Sequence, residues 1–320
     1  MSLLIIASLA YNEKKKVTRR EKFLFEMEHV VPWKRLERVA EPHYPDIGNG
    51  RPPIGLGRML RIYFMQQWFN LADEAMEDSL YDSESMRRFA GIELGRDPVP
   101  DSTTMLRFRH MLEEHNLTQG LLSEVNEHLK GAGLLLREGT IVDATIIDAP
   151  TSTKNKDKRR DPEMHQVKKG NEWYFGMKAH IGTDLQGLAH TVVCTPANVA
   201  DGNVMNDLIH GEELAVYGDR AYSSVKRKAE YEANGIAWRV QKMSNQYRPL
   251  TKRERSWNSR MSRVRARGEH AFGVVKNIWG HSKVRYRGIK KNAAQFCTLF
   301  ALANLYLVRH KILKLQARSI

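Results

Sequence analysis

Cysteine is nearly absent: 320 residues hold two, Cys194 and Cys297, far apart and without metal-ligand spacing. That excludes a disulfide-stapled framework and a cysteine zinc site, and both thiols read as buried groups in a reducing cytoplasm. The 12 histidines form no HExxH pattern and no Cys/His pairing, so a zinc centre has no support either. Long apolar runs are also missing. Leu3 to Ala10 is short and is followed by Lys14, Lys15 and Lys16, the reverse of the charge order of a secretory signal. A buried N-terminal segment and a misassigned start are its two readings. The run Phe296 to Val308 is interrupted by Asn304 and closed by Arg309, His310 and Lys311, too short to span a bilayer. It reads as a core or subunit-packing helix. There is no internal repeat, and no low-complexity stretch beyond one short basic loop.

Acid is the scarcer charge. The 37 Asp and Glu against 51 Lys and Arg leave a net charge of +14 and a pI near 9.7, which calls for a polyanionic partner, nucleic acid or an anionic membrane surface. The short apolar runs weigh against the membrane. A hydrophobic fraction of 42% is that of a globular chain, and the length suits two domains of ordinary size.

The scarcity is sharpest from Arg239 to Lys291, where 16 Lys or Arg accompany two acids, Glu254 and Glu269. Within it, Arg260 to Gly280 reads as one long helix. Met261, Val264, Gly268, Phe272, Val275 and Trp279 share a face; Arg265, Glu269 and Lys276 form a stripe at its edge; Arg260, Arg263, Arg267 and His270 make a basic face. A solvated helix with an Arg265–Glu269 pair worth about 0.3 kcal/mol is the plain reading. A carboxylate kept in so basic a region points instead to binding of a divalent cation.

Residues 20 to about 134 carry helix-period apolar positions and read as a separate helical module, with breaks at Pro42 to Pro53 and Gly95 to Pro100. Asp101 is a good N-cap for a helix whose first turns hold Thr103, Thr104, Arg107 and Arg109. A helix-turn-helix reader of the major groove and an ordinary helix pair with a basic face stand level there. At Leu134 the pattern changes. Gly139 to Asp148, GTIVDATIID, alternates as a central strand does and puts Asp143 in mid-strand, where a bare carboxylate is costly. It needs a metal, a cation or a raised pKa, with a salt bridge to a core-edge arginine as the competing account. Thr151 to Gly170 reads as a mobile basic loop. Asn171 to Thr183 and Leu188 to Thr195 form a hairpin, a helix follows near Asp201 to His210, and the strand Leu214 to Asp219 ends on the acid of YGDRAYSS. A helix to about Asn234 and a strand Ile236 to Lys242 lead into the basic region.

Asp143 in VDATIID, Asp219 in GDRAY and Glu269 in an RxxxExxxxxxK pattern, in this strand order, resemble the DDE transposases with a ribonuclease H-like core. More closely, STKNKDKRRDPEMHQVKKGNEWYFGMKAHIG resembles the insertion-sequence-five group of the insertion-sequence-four superfamily, over about Lys22 to Leu313. The resemblance implies an α/β fold: a ribonuclease H-like catalytic core over 135–320, a mixed five-stranded sheet with helices, carrying the basic loop 151–170 and a C-terminal helix 290–313. An all-α DNA-binding and dimerisation domain over 1–134 precedes it. Asp143, Asp219 and Glu269 become the catalytic acids and the ligands of Mg²⁺ or Mn²⁺, two ions per site. Arg265 and Lys276 match the R and K of the superfamily's Y-R-E-K signature, whose tyrosine is Ser262 here. Arg265, Lys276, Arg263, Arg267, Lys168, Lys169, Arg107 and Arg109 are the expected DNA contacts. Trp257 is a candidate to stack on a flipped base, whereas Trp279 reads as core.

The implied reaction is hydrolysis at the ends of an insertion sequence, releasing a 3′ hydroxyl, then attack of that hydroxyl on target DNA, with no covalent protein intermediate. The implied partners are double-stranded DNA, as element ends and as target, and further copies of the chain in a dimer or larger assembly. The implied place is the bacterial cytoplasm at the nucleoid. Two other functions compete: a regulator that binds DNA without catalysis, and a nuclease that cuts without joining.

Overall fold

The computed structural model describes residues 14–46, 52–154, 156, 158–244 and 247–318; the apolar stretch Leu3 to Ala10 lies outside them. Thr18 opens the first described helix with a capping box, its hydroxyl accepting from the Glu21 amide while the Glu21 carboxylate accepts from the Thr18 N–H. Among the described residues seven α-helices succeed one another: α1 (Arg19–Val30), α2 (Trp33–Ala40), α3 (Leu56–Phe69), α4 (Asp73–Asp82), α5 (Glu84–Ala90), α6 (Ser102–Glu114) and α7 (Leu117–Gly131). From Met59 to Trp68, α3 is buried on nearly every side, so it forms the axis of this helical half. Asp101 caps α6 as its sequence position predicts, accepting from the Thr104 amide at 2.7 Å.

Among the described residues six strands follow: β1 (Gly139–Asp148), β2 (His165–Lys169), β3 (Glu172–Thr183), β4 (Ala189–Pro196), β5 (Ala215–Gly218) and β6 (Ala237–Val240). They lie in the order β2-β3-β1-β5-β6, and β4 pairs with the C-terminal half of β3 beside β2. β1 is antiparallel to β3 and parallel to β5, which is parallel to β6. Pairing of β1 with β5 stops at Ile141 opposite Tyr217, and that edge is next met by the bridge from Asp148 to Lys283. Among the described residues, the edge of β1 between these points has no strand partner.

The sixth strand corrects the expectation of five. β2 falls inside the stretch read as a mobile basic loop, with Lys168 opposite Trp173 and Lys169 opposite Glu172. Four of its five residues are exposed, so it carries none of the apolar alternation by which a strand is recognised. The long helix expected from Arg260 to Gly280 is also broken: α9 (Lys252–Arg265), a tight turn over 266–268, α10 (Glu269–Gly273), and a π turn over Val274–Ile278. The bonds from the amides of Arg267, Gly268 and His270 reach back three residues rather than four, which tightens the backbone. Gly268 packs so closely that a Cβ there would stand 3.2 Å from Ile141 Cγ2. The turn is therefore dictated by tertiary packing on β1, which helix periodicity does not register.

The last helix, α11 (Ile289–Arg318), joins the two halves. It packs on α7, α1 and β4, and a single hydrophobic cluster runs from Leu24 through the helical half and the sheet to Ile312. Packing thus crosses the boundary expected at residue 134. Asn304, fully buried on α11, accepts from the Ala189 amide at 2.8 Å and donates to Ala189 O at 2.7 Å and Asn126 Oδ1 at 2.9 Å, tying α11 to β4 and α7. By length and composition α11 could cross a membrane, but 67% of its apolar stretch is buried in this core.

Candidate active site

The unpaired edge of β1 is where the acids gather. In an antiparallel ladder alternate residues turn their N–H and C=O outward, and here side chains meet them. Asp143 Oδ1 accepts from the Ala144 amide at 3.0 Å, and Lys276 Nζ donates to Ile146 O at 2.9 Å and to Thr145 Oγ1 at 3.1 Å. Beyond the edge, Asp219 directly follows β5 and caps a short 3₁₀ turn, Arg220–Tyr222, by accepting from the Ala221 amide at 2.8 Å. Glu269 stands at the first position of α10, just after the tight turn. A cleft of about 480 Å³ is lined by Asp143, Asp219 and Glu269 together, with Lys168, Lys169 and Arg265 among its other walls.

Arg265 is the cation that joins two of these acids. Its Nη1 donates to Asp143 Oδ2 at 3.1 Å and its Nη2 to Glu269 Oε1 at 2.9 Å, while its Nε is buried without a partner among the described residues. The arginine competitor for Asp143 and the i,i+4 partner of Glu269 are thus one residue. The Asp143 side chain is 13% exposed. Burial pushes its pKa up from 3.8 to about 6; Arg265 and the Ala144 amide pull it down, and Asp219 and Glu269 add to the rise. Burial likewise lowers the pKa of Lys276, with Asp148 opposing and Lys169 assisting.

The donor set is carboxylate alone, the hard-oxygen chemistry that suits Mg²⁺ or Mn²⁺. Among the described residues no three His, Cys, Asp or Glu side chains converge closely enough to hold an ion. Arg265 instead bridges two of the three acids, so the carboxylates are already organised around a positive charge.

The expected DNA contacts divide. Lys168 and Lys169 are exposed at the cleft, Arg263 is exposed on α9, and Arg267, also exposed, donates to Leu185 O at 3.0 Å on the turn between β3 and β4. Arg107 is exposed on α6. Arg109 is not: it is 7% exposed, makes a bidentate pair with Asp73 at 2.7 and 2.9 Å, and its guanidinium lies over the Tyr286 ring. It holds α6 against α4 and corrects the expectation of a groove-reading arginine. The 11 residues between α5 and α6 also exceed the short turn of a helix-turn-helix. Trp279 is buried, as expected, while Trp257 is half-buried beneath the Lys242 ammonium.

Sequence reasoning passed over Lys178 and Asp201, which also line the cleft and pair at 2.7 Å. Tyr222, which reads from the sequence as a helix-start residue, is buried beside the acids, its hydroxyl without a hydrogen-bond partner among the described residues. Lys178 carried the signal that marked Asp143, a charge in mid-strand among apolar neighbours. Ser262, in place of the signature tyrosine, accepts from the Gln241 side chain.

Residues 135–305, just over half of the chain, match the family model described as transposase DDE domain, and residues 11–111 match a transposase domain, DUF772. The first match begins before β1 and ends within α11, so it takes in every element that builds the cleft, and its mixed sheet flanked by helices is the α/β arrangement of a ribonuclease H-like transposase. Sheet, cleft and both matched segments agree: the chain belongs to the DDE transposase family.

Proposed function

We propose that the chain is a transposase of the insertion-sequence-five group that binds the inverted-repeat ends of its element, cleaves the phosphodiester at each end to leave a 3′ hydroxyl, and joins that hydroxyl to target DNA. The observation that carries this is a shared cleft: Asp143, Asp219 and Glu269, from three distant segments, all line it, and lysines wall it. The three acids would hold Mg²⁺ or Mn²⁺, two ions in this reading, which when bound supply Lewis-acid stabilisation to the attacking and leaving oxygens.

The chain's own residues prepare that chemistry. Arg265 orients the Asp143 and Glu269 carboxylates and offsets their repulsion. Lys276 fixes the open edge of β1, so Asp143 is carried on a braced strand. Lys168, Lys169, Arg263 and Arg267 offer cations to flanking phosphates, and Arg107 contacts the element end from α6. Water and the DNA 3′ hydroxyl serve as the nucleophiles. Tyr222 is 1% exposed and Ser224 caps the next helix, α8 (Val225–Ala233), so neither is presented for covalent attack on phosphorus. The active form is a homodimer or larger assembly bridging two ends at the nucleoid in the cytoplasm.

The test combines the protein, Mg²⁺, a labelled duplex carrying the element end and a supercoiled plasmid. Label joined to the plasmid through a 3′ end supports the proposal. Cleavage without joining would reduce it to a nuclease, and binding without either reaction to a regulator.

A further inference from the structure

Lys178 reaches the cleft from the other face of the sheet. Its register partner on β1 is Ile146, and that of Asp143 is Ile181, so strand alternation turns Asp143 and Lys178 to opposite faces. Both nevertheless line one cleft, because the edge of β1 between them is open.

The Lys178 side chain is 12% exposed and fixed at two points: Nζ donates to Asp201 Oδ1 at 2.7 Å and to Val199 O at 2.8 Å. An ammonium has three donors, and the third has no partner among the described residues. Behind it His180 is fully buried; its Nε2 meets Thr195 Oγ1 at 2.8 Å, and its Nδ1, 4.0 Å from Asp201 Oδ1, has no hydrogen-bond partner among the described residues. The Tyr222 hydroxyl is likewise buried, without a hydrogen-bond partner among the described residues, and burial raises its pKa, with the charges of Asp201, Asp143 and Asp219 adding to the rise. Burial keeps His180 neutral, so Lys178 is the cation of this cluster. Buried polar groups in folded proteins are nearly all satisfied, and a buried ion pair contributes little to stability over an apolar replacement. A half-satisfied cluster at the wall of a catalytic cleft is built for a ligand.

We infer that Lys178 is a DNA-phosphate-binding residue of this cleft and that Asp201 is its positioning residue, facing the substrate from the side opposite Arg265. The inference rests on the transposase reading for the identity of the ligand. The two anchors remove the rotamer freedom that makes an exposed lysine such as Lys168 a diffuse contact. Asp201 and Val199 take two donors, leaving the third for a phosphate oxygen.

The experiment measures binding without divalent metal, so that no cleavage occurs. A set of duplexes carrying the element end each has one phosphate replaced by a neutral methylphosphonate. For wild type, one position in the cleaved region should lower affinity roughly tenfold, the scale of one charge-assisted contact. Lys178→Met should bind the unmodified duplex correspondingly more weakly, with a salt slope reduced by about one. It should lose nothing further at that position while keeping its losses elsewhere. The same losses as wild type at every position would overturn the inference. If Lys178→Met does not fold, Asp201→Ala, which removes one of the two anchors of Lys178, should blunt the loss at that one phosphate; an unchanged profile would overturn the inference equally. Cleavage in Mg²⁺ is scored separately, so failure of the transposase reading leaves this profile to decide on Lys178.

Discussion

Asp143 holds its place in mid-strand at the expense of stability, and Asp143→Asn should expose the amount. Its folded pKa stands near 6 against an ordinary 3.8, chiefly through burial, and at 1.36 kcal/mol per unit this is about 3 kcal/mol. Below pH 3.8 the carboxyl is protonated in folded and unfolded chains alike, and the group has no effect. Between pH 3.8 and 6 the unfolded chain releases the proton and the folded chain retains it, so stability falls as pH rises; above pH 6 the full penalty is present. An asparagine of nearly equal shape carries no such penalty. In chelator, the variant should therefore exceed wild type by up to about 3 kcal/mol at pH 7.5, a rise in Tm of roughly 5 °C or more. The difference should shrink towards zero at pH 4. Added Mn²⁺ should then raise the wild-type midpoint and leave that of the variant in place. Equal midpoints at pH 7.5, or a less stable variant, would refute the argument that burial sets the charge state of Asp143.

Other perturbations separate support from function. Arg109→Ala strands Asp73 without its bidentate partner and should destabilise by about 3 kcal/mol; a normal melting curve with lost end recognition would contradict this. Arg107→Ala should do the reverse, weakening binding to the element end at an unchanged Tm, as gel shift and calorimetry together would reveal. Asn304→Ala removes three buried hydrogen bonds between α11, β4 and α7 and should cost about 2 kcal/mol or more in denaturant unfolding. A loss below about 0.5 kcal/mol would mean that apolar packing alone docks the last helix.

Where side chains alternate or recur with a clear period, the sequence was legible. Gly139 to Asp148 is a strand at the expected bounds, the hairpin of β3 and β4 is in place, and Gly268, Phe272, Val275 and Trp279 are buried as one face. Legibility failed where neighbours distant in sequence decide. The exposed strand β2 pairs through its backbone and shows no apolar rhythm. The break before Glu269 is set by the fit of Gly268 against Ile141. Arg109 has the position of a groove reader on its helix, yet only the packing of α4 brings Asp73 to it. In the site, the acids stood out because a carboxylate is conspicuous in a strand or a basic helix. Lys178 was lost among 51 basic residues, although its mid-strand position carried the same information as that of Asp143.

The central claim, that Asp143, Asp219 and Glu269 act together on DNA, is tested most directly by Mg²⁺-dependent cleavage of a labelled duplex bearing the element end. Wild type should cut at the element boundary and leave a 3′ hydroxyl, whereas Asp143→Asn and Glu269→Gln should bind the same duplex and leave it intact. Cleavage by either variant at the wild-type rate would contradict the account.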